Sequence, residues 1–209
     1  MSKPAASVGA SSGGSGAAGS AAGGTTGAAP GFAGKAWFWW PWPPLVVLDL
    51  WSKHVVFAFL ETEYARIPEP MRRHLVFDTG AGGLRLDFVS WGNPGTIWGL
   101  FPDGTIPLMV LRCFAVLGLF WFVRRTEKAA RLQQLVLGLI LAGALGNLYD
   151  NFVRADRTVR DFVYFSGQWP WQWDFPAFNV ADSCITVGAV GLFLLLWQED
   201  RAQARAKVS

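Results

Sequence analysis

Three aspartates and two asparagines carry the spacing that could do chemistry. Asn147 and Asp150 stand three apart, as do Asn179 and Asp182, so each pair shares one face of a helix. Between them lies Arg160-Asp161-Phe162-Val163, an acid in an apolar setting. If Asp150, Asp161 and Asp182 converge, at least two carboxylates come within a few ångströms of each other. Two such groups cannot both ionise, so one keeps a proton. An acid and a base in one site suffice for water-mediated amide hydrolysis without a metal or a covalent nucleophile. The same residues also suit helix capping, since Asp and Asn at helix ends satisfy free backbone groups. Asp49 and Lys53, at i,i+4, can form an ion pair across one turn, which would neutralise both without any catalysis. Other chemistries lack their residues. There is no GxSxG, P-loop or HExxH. His54 and His74 lie apart, and Cys113 and Cys184 form neither a CxxC nor a Cys/His cluster, so no metal site and no cofactor are expected.

The elements that must position these residues are membrane spans. Hydrophobic residues make up 52% of the 209-residue chain and charged ones 16%, well below the roughly 25% of average soluble proteins. No basic face or nucleic-acid module is present, so no nucleic-acid partner is expected. Crossing the hydrocarbon core takes about 20 mainly apolar residues, and four windows qualify: about 42–60, 107–123, 132–149 and 178–197. Residues 1–35 are dominated by Gly, Ala and Ser and read as a flexible tail, with 36–198 as the membrane domain and 199–209 as a second tail. The run from Trp37 to Trp42 reads as an interfacial aromatic belt. Arg124, Arg125, Lys128 and Arg131 cluster between spans two and three, and Arg201, Arg205 and Lys207 follow span four. Both segments should be cytoplasmic, which puts both termini inside. Leu84 to Trp91 alternates apolar and polar residues like a half-exposed strand, between turn-like Asp78–Gly83 and Gly92–Gly95. The aromatic run from Trp169 to Trp173 would sit at the same interface. The expected fold class is an all-α membrane bundle of four transmembrane helices with a small extracytoplasmic β element.

Three motifs in this order make the reading specific. Gly143-Ala-Leu-Gly-Asn-Leu-Tyr-Asp150, Val159-Arg-Asp-Phe162 and Pro176-Ala-Phe-Asn-Val-Ala-Asp-Ser183 resemble the lipoprotein signal peptidases (type II signal peptidases), whose pattern reads roughly GNxxDR, VxDF and FNxADxxI. Asp49-Leu-Trp-Ser-Lys53 is similar to that family's DxxTK, and Asn93-Pro-Gly-Thr-Ile-Trp-Gly99 looks like a degraded NxGAAFG. The resemblance spans about residues 45–198. It implies an intramembrane aspartyl endopeptidase of the bacterial inner membrane, which removes the signal peptide from diacylglyceryl-modified prolipoproteins. Its implied partners are the lipidated prolipoprotein and membrane lipids, and the expected state is a monomer. The implied catalytic pair is Asp161 and Asp182. Asn147, Asp150 and Asn179 fall on supporting positions, Asp49 and Lys53 on a structural pair, and Asn93 and Gly95 on a substrate-contacting loop.

This chain departs from the pattern where Asn151 replaces the family's Arg and where Thr96 and Ile97 replace two Ala. Arg112 lies ~8 Å into span two and must snorkel outward or meet a carboxylate. The expectation is that it points into the bundle and supplies the absent guanidinium to Asp150 or to the pair, with Arg154 and Arg157 as further candidates. The alternatives are a divergent, non-catalytic four-span protein of the same fold, whose acids cap helices or bind a partner, and a proton-coupled carrier. The carrier is disfavoured by the lack of an internal repeat.

Overall fold

A computed structural model describes residues 31–80, 83–94, 105–168 and 171–207. Its elements in chain order are α1 (Ala36–Trp39), α2 (Trp42–Glu63), β1 (Arg73–Asp78), β2 (Leu84–Asn93), α3 (Thr105–Arg125), α4 (Arg131–Val153), β3 (Val159–Gly167), β4 (Trp173–Asp174) and α5 (Val180–Ala206). Four helical segments are long and apolar enough to cross a bilayer: Ala36–Glu63, Thr105–Arg125, Arg131–Val153 and Val180–Ala206. Each is longer than the apolar window expected for it. A helix needs hydrophobic residues only across the bilayer core, so polar helix formers carry it further at either end. Thus α5 runs on through Glu199, Asp200, Arg201 and Arg205, absorbing most of the expected tail, and the Arg201 guanidinium lies 4.2 Å from the Trp197 ring centroid.

Helix α4 is the centre of the bundle. More than half of its apolar window is buried inside the protein, against 6% for α3. Two of its glycines let neighbours approach without Cβ obstruction. A Cβ on Gly143 would meet the Ala181 carbonyl oxygen at 2.2 Å, and one on Gly146 would meet Asp49 Oδ2 at 2.5 Å. Small residues at such crossings let helices pack where lipid offers no hydrophobic drive. Helix α3 joins the bundle chiefly at its C-terminal half, where Val116, Leu119, Phe120, Phe122 and Val123 pack with Phe38, Leu137 and Leu141.

Phe38 is fully buried in that cluster, so the Trp37–Trp42 run is not wholly an exposed belt, although Trp37, Trp39 and Trp40 are exposed. Residues 31–35 also differ from the composition-based expectation of a tail. Phe32 packs edge-on against Trp39 and Phe120, and Lys35 is buried. The Lys35 ammonium donates to the Val123 carbonyl and, at 2.9 Å, to that of Arg124. Those are carbonyls of the last turn of α3, of which that of Val123 also accepts from the Thr126 N–H at 3.2 Å, and a cation there suits the helix dipole.

At the other end of the bundle lies a four-stranded antiparallel sheet, ordered β1-β2-β3-β4. It is larger than the single strand expected over Leu84–Trp91, because β1, β3 and β4 show too little alternation to be read from sequence. Gly92 and Asn93, expected in a turn, are the last residues of β2 and pair with Arg160 and Val159. Buried Asp87 ties β2 to β1 by accepting from Arg73 at 2.5 Å, and it accepts from Arg85 at 2.9 Å. Parts of the expectations lie outside the described residues: positions 1–30 and 208–209 of the two tails, positions 81–82 of the turn before β2, Gly95 to Gly99, including the altered substrate-loop positions Thr96 and Ile97, and Trp169 and Pro170 of the aromatic run.

Candidate active site

The site forms where the sheet meets the ends of α2, α4 and α5. Phe178 pairs with Val163 through hydrogen bonds in both directions (Phe178 N–H to Val163 at 3.0 Å, Val163 N–H to Phe178 at 2.9 Å). This bridge sets the start of α5 against β3 and puts Asn179 beside Asp161. A bulge in β2 brings in the third participant. Phe88 pairs with Val163 but Trp91 pairs with Asp161, so β2 carries one extra residue over that stretch. One extra residue inverts which face later side chains occupy, and that puts Asn93 on the face of Asp161.

Buried Asp161 therefore accepts from Asn93 Nδ2 at 2.8 Å and from Asn179 Nδ2 at 2.7 Å. Half-buried Asp182 accepts from Asn147 Nδ2 at 2.7 Å. Asp182 also completes a capping box: its Oδ2 accepts from the Asn179 N–H at 3.2 Å, while Asn179 Oδ1 accepts from the Asp182 N–H at 2.9 Å. Capping and membership of the carboxylate pair are thus properties of the same side chain. Asn179 and Asn147 are joined in turn, Nδ2 to Oδ1 at 3.2 Å. Burial, followed by the charge of Asp182, lifts the Asp161 carboxyl from the ordinary carboxylate range to about 7.

Beneath the pair lies a second layer. The Lys53 ammonium donates to Asp49 Oδ2 at 2.7 Å and to Asn147 Oδ1 at 3.1 Å, and it stands 3.4 Å from Asp150 Oδ2. Asp49 uses its other oxygen to accept from the Ala181 N–H at 2.8 Å, so a carboxylate of α2 helps to cap α5. Asp150 is held by Arg160: Oδ1 accepts from the guanidinium at 2.6 and 3.1 Å, and Oδ2 accepts from the backbone N–H at 2.9 Å. Asp150 therefore does not face Asp161 and Asp182 as a third equal carboxylate.

Arg112 turns into the bundle, but its partner is not a carboxylate. It donates to Asn151 Oδ1, while Asn151 Nδ2 donates to the Arg157 carbonyl at 2.6 Å. Arg154 is taken up by Asp156 at 2.9 Å. The guanidinium expected on Asp150 or on the pair from Arg112, Arg154 or Arg157 comes, at Asp150, from Arg160 instead. The signal for it lies in strand alternation, which sends Arg160 and Asp161 to opposite faces, so Arg160 is free to meet a neighbour of the site.

Fold and site together define an integral membrane protein of four apolar helices, with a carboxylate pair at the sheet end of the bundle. Comparison with known proteins narrows this. Residues 44–198 match the family model described as signal peptidase (SPase) II. A lipoprotein signal peptidase of Pseudomonas aeruginosa is 33% identical over 168 residues, covering 78% of this chain and 90% of that protein. One from Anoxybacillus flavithermus is 28% identical over 157 residues, covering 75% and 83%. In architecture the chain is similar to a bacterial membrane enzyme solved by the in meso method at 2.3 Å, with a TM-score of 0.56 and 23% identity over 75% of this chain and 84% of that one. The chain belongs to the signal peptidase II family.

Proposed function

We propose that this chain is the endopeptidase that removes the signal peptide from diacylglyceryl-modified prolipoproteins, with Asp161 and Asp182 as its catalytic pair. The observation that carries the assignment is the shared cradle: Asn179 contacts both aspartates, and the charge of one raises the other. The ionised carboxylate takes a proton from water, and the resulting hydroxide adds to the scissile carbonyl carbon. The protonated carboxyl then gives its proton to the amide nitrogen as the C–N bond breaks, and the pair ends with one proton as it began. Asn93, Asn147 and Asn179 fix the carboxylates by donating to them, and donors of this kind need no reorganisation during the reaction.

The remaining organisation follows from the same reading. Residues 36–198 are the catalytic membrane domain, acting as a monomer in the bacterial inner membrane. The basic α3–α4 connection and both termini lie in the cytoplasm, and the sheet lies on the outer face, where a substrate's cleavage site emerges beside its lipid anchor. Gly95 contacts that substrate together with Asn93.

The test is cleavage of a lipidated prolipoprotein by the purified protein in detergent, with a chelator present. Cleavage should persist with chelator and fall by about 10³-fold or more in Asp161→Asn and in Asp182→Asn. Near-normal cleavage by either variant would remove the pair from the mechanism. Asn at 182 can still accept from the Asn179 N–H, so this variant separates lost chemistry from a lost cap.

A further inference from the structure

We propose that Arg112 is a positioning residue of the catalytic pair: clamped by Asn151, its guanidinium supplies the positive charge that balances the single negative charge shared by Asp161 and Asp182. The proposal rests on the reading of these two aspartates given above, and it concerns a residue that lies outside every motif of the resemblance.

The first argument is placement. Arg112 sits about 10 Å along α3 from Thr105 at 1.5 Å per residue, in a half of the helix that is otherwise poorly packed. Ile106, Val110, Leu111 and Phe114 are all exposed to the surroundings of the bundle. Among the described residues, the only side-chain hydrogen bond from this half of α3 is the one Arg112 gives to Asn151. A guanidinium in an apolar span faces a solvation cost of several kcal/mol and would snorkel to the nearer interface unless a polar group held it. Asn151 does hold it. This amide is buried in the last turn of α4 and is itself fixed by its bond to the Arg157 carbonyl.

The second argument is charge. Asp161 meets Asn93 of β2 and Asn179 of α5 and feels the charges of Asp182 of α5 and Lys53 of α2. Behind them lie Asp49 of α2, Asn147 and Asp150 of α4, and Arg160 of β3. Lys53 pairs with Asp49, and Arg160 pairs with Asp150. These four charges cancel. A pair of carboxylates sharing one proton leaves one negative charge over, and Arg112 is the cation of α3 whose field reaches both members, Asp182 more strongly than Asp161. Lys53, although paired with Asp49, also acts on Asp161, so what Arg112 adds is net neutrality: without it the region carries one net negative charge in a low-dielectric setting.

The sign of the consequence is fixed. A nearby cation favours the ionised form of a carboxylate, so it opposes the rise at Asp161. Losing that charge moves the Asp161 titration, and with it the pH profile of cleavage, upward.

The experiment is a pH series of prolipoprotein cleavage by the full-length protein, its Arg112→Leu and Arg112→Lys variants, and the double variant Arg112→Leu with Asn151→Arg. In Arg112→Leu the ratio of the rate at pH 8 to that at pH 6 should rise by about threefold or more, over and above any uniform loss. Arg112→Lys keeps the charge and should keep the original profile. The double variant, which supplies a guanidinium from α4, should move the profile back. A purely structural role would lower all rates equally, and an unchanged profile in Arg112→Leu would overturn the proposal.

Infrared titration gives a readout independent of cleavage. The protonated-carboxyl band that disappears in Asp161→Asn should show a higher midpoint in Arg112→Leu than in the unmodified protein. If the unmodified protein fails to cleave while this midpoint still moves, the peptidase reading fails and the charge coupling stands. If cleavage is normal and neither the midpoint nor the profile moves, the coupling fails alone.

Discussion

Arg160 holds Asp150 through three donors, two from its guanidinium and one from its own backbone N–H. Since Arg160 precedes Asp161 in β3, this contact fixes the strand at the residue next to the carboxylate pair. Asp150 in turn stands 3.4 Å from Lys53, so the strand is referenced to α2 and α4 together.

Loosening that anchor should misplace Asp161 without removing it. Asp150→Asn keeps an acceptor but loses the charge that the Arg160 fork grips, and Arg160→Lys keeps a charge but loses the fork. Each should lower kcat by about 10- to 100-fold, with KM changed far less, because small misplacements of a reacting group are costly. The measurement is steady-state cleavage of a lipidated prolipoprotein peptide. An effect confined to KM would mean that the anchor serves substrate binding.

The raised carboxyl of Asp161 also links to stability. In the unfolded chain an aspartate titrates near 3.8, while here burial and then the Asp182 charge raise Asp161 to about 7. Between those values the folded state holds more protons than the unfolded state. The stabilising contribution is therefore complete below about pH 4 and is lost as pH rises through about 7. Thermal denaturation in detergent at pH 5 and pH 8 should show Tm falling with pH in the unmodified protein and falling less in Asp161→Asn. An equal decline in both proteins would mean that Asp161 titrates ordinarily.

Part of this arrangement is legible in the amino-acid sequence. The four spans follow from apolar run length, which the bilayer imposes directly, and the Asp49–Lys53 pair follows from helical spacing. Asn147, Asp161, Asn179 and Asp182 can be named from their types and order. The contacts among them depend on two features that sequence does not announce. One is the β2 bulge, since a single extra residue decides whether Asn93 faces Asp161. The other is the Phe178–Val163 bridge, a pairing between a strand and an irregular segment. Arg112 shows the limit in another way. Its inward direction can be argued from the cost of a lone charge. That same argument points to a carboxylate partner, because a neutral amide such as Asn151 gives no charge signal.

Orientation is open to a direct check. The sheet end and the basic α3–α4 connection lie at opposite ends of the bundle, and the proposed topology puts the first outside and the second inside. With Cys113 and Cys184 replaced, a single cysteine at Ser166 should react with a membrane-impermeant thiol reagent added to intact spheroplasts. One at Ala130 should react only after the membrane is permeabilised. Protection of both, or labelling of both, in intact cells would refute the four-span arrangement with cytoplasmic termini.

The close crossing of α4 with α5 and α2 makes the sharpest structural prediction. A methyl group on Gly143 would fall 2.2 Å from the Ala181 carbonyl oxygen and 2.6 Å from Ile185 Cγ1. The first of these is backbone and cannot rotate away, so α5 must shift. Because Asn179 and Asp182 sit at the start of α5, the shift would be felt at the carboxylate pair. On Gly146 the methyl group would meet Asp49 Oδ2 at 2.5 Å, the oxygen that Lys53 grips. That obstacle is a side chain, but one fixed on both sides, since its other oxygen holds the Ala181 N–H. Overpacking of this kind typically costs about 1–3 kcal/mol. Gly143→Ala should therefore lower Tm and cleavage together, and Gly146→Ala should lower cleavage by disturbing the Asp49–Lys53–Asn147 layer. Asp49→Ala combined with Gly146→Ala should recover none of the activity, because room for the methyl is gained only by losing the cap on α5. Gly118, whose added Cβ would meet nothing within 4 Å, is the control, and Gly118→Ala should leave both Tm and cleavage unchanged. If Gly143→Ala behaved like Gly118→Ala, the tight α4–α5 crossing would be wrong.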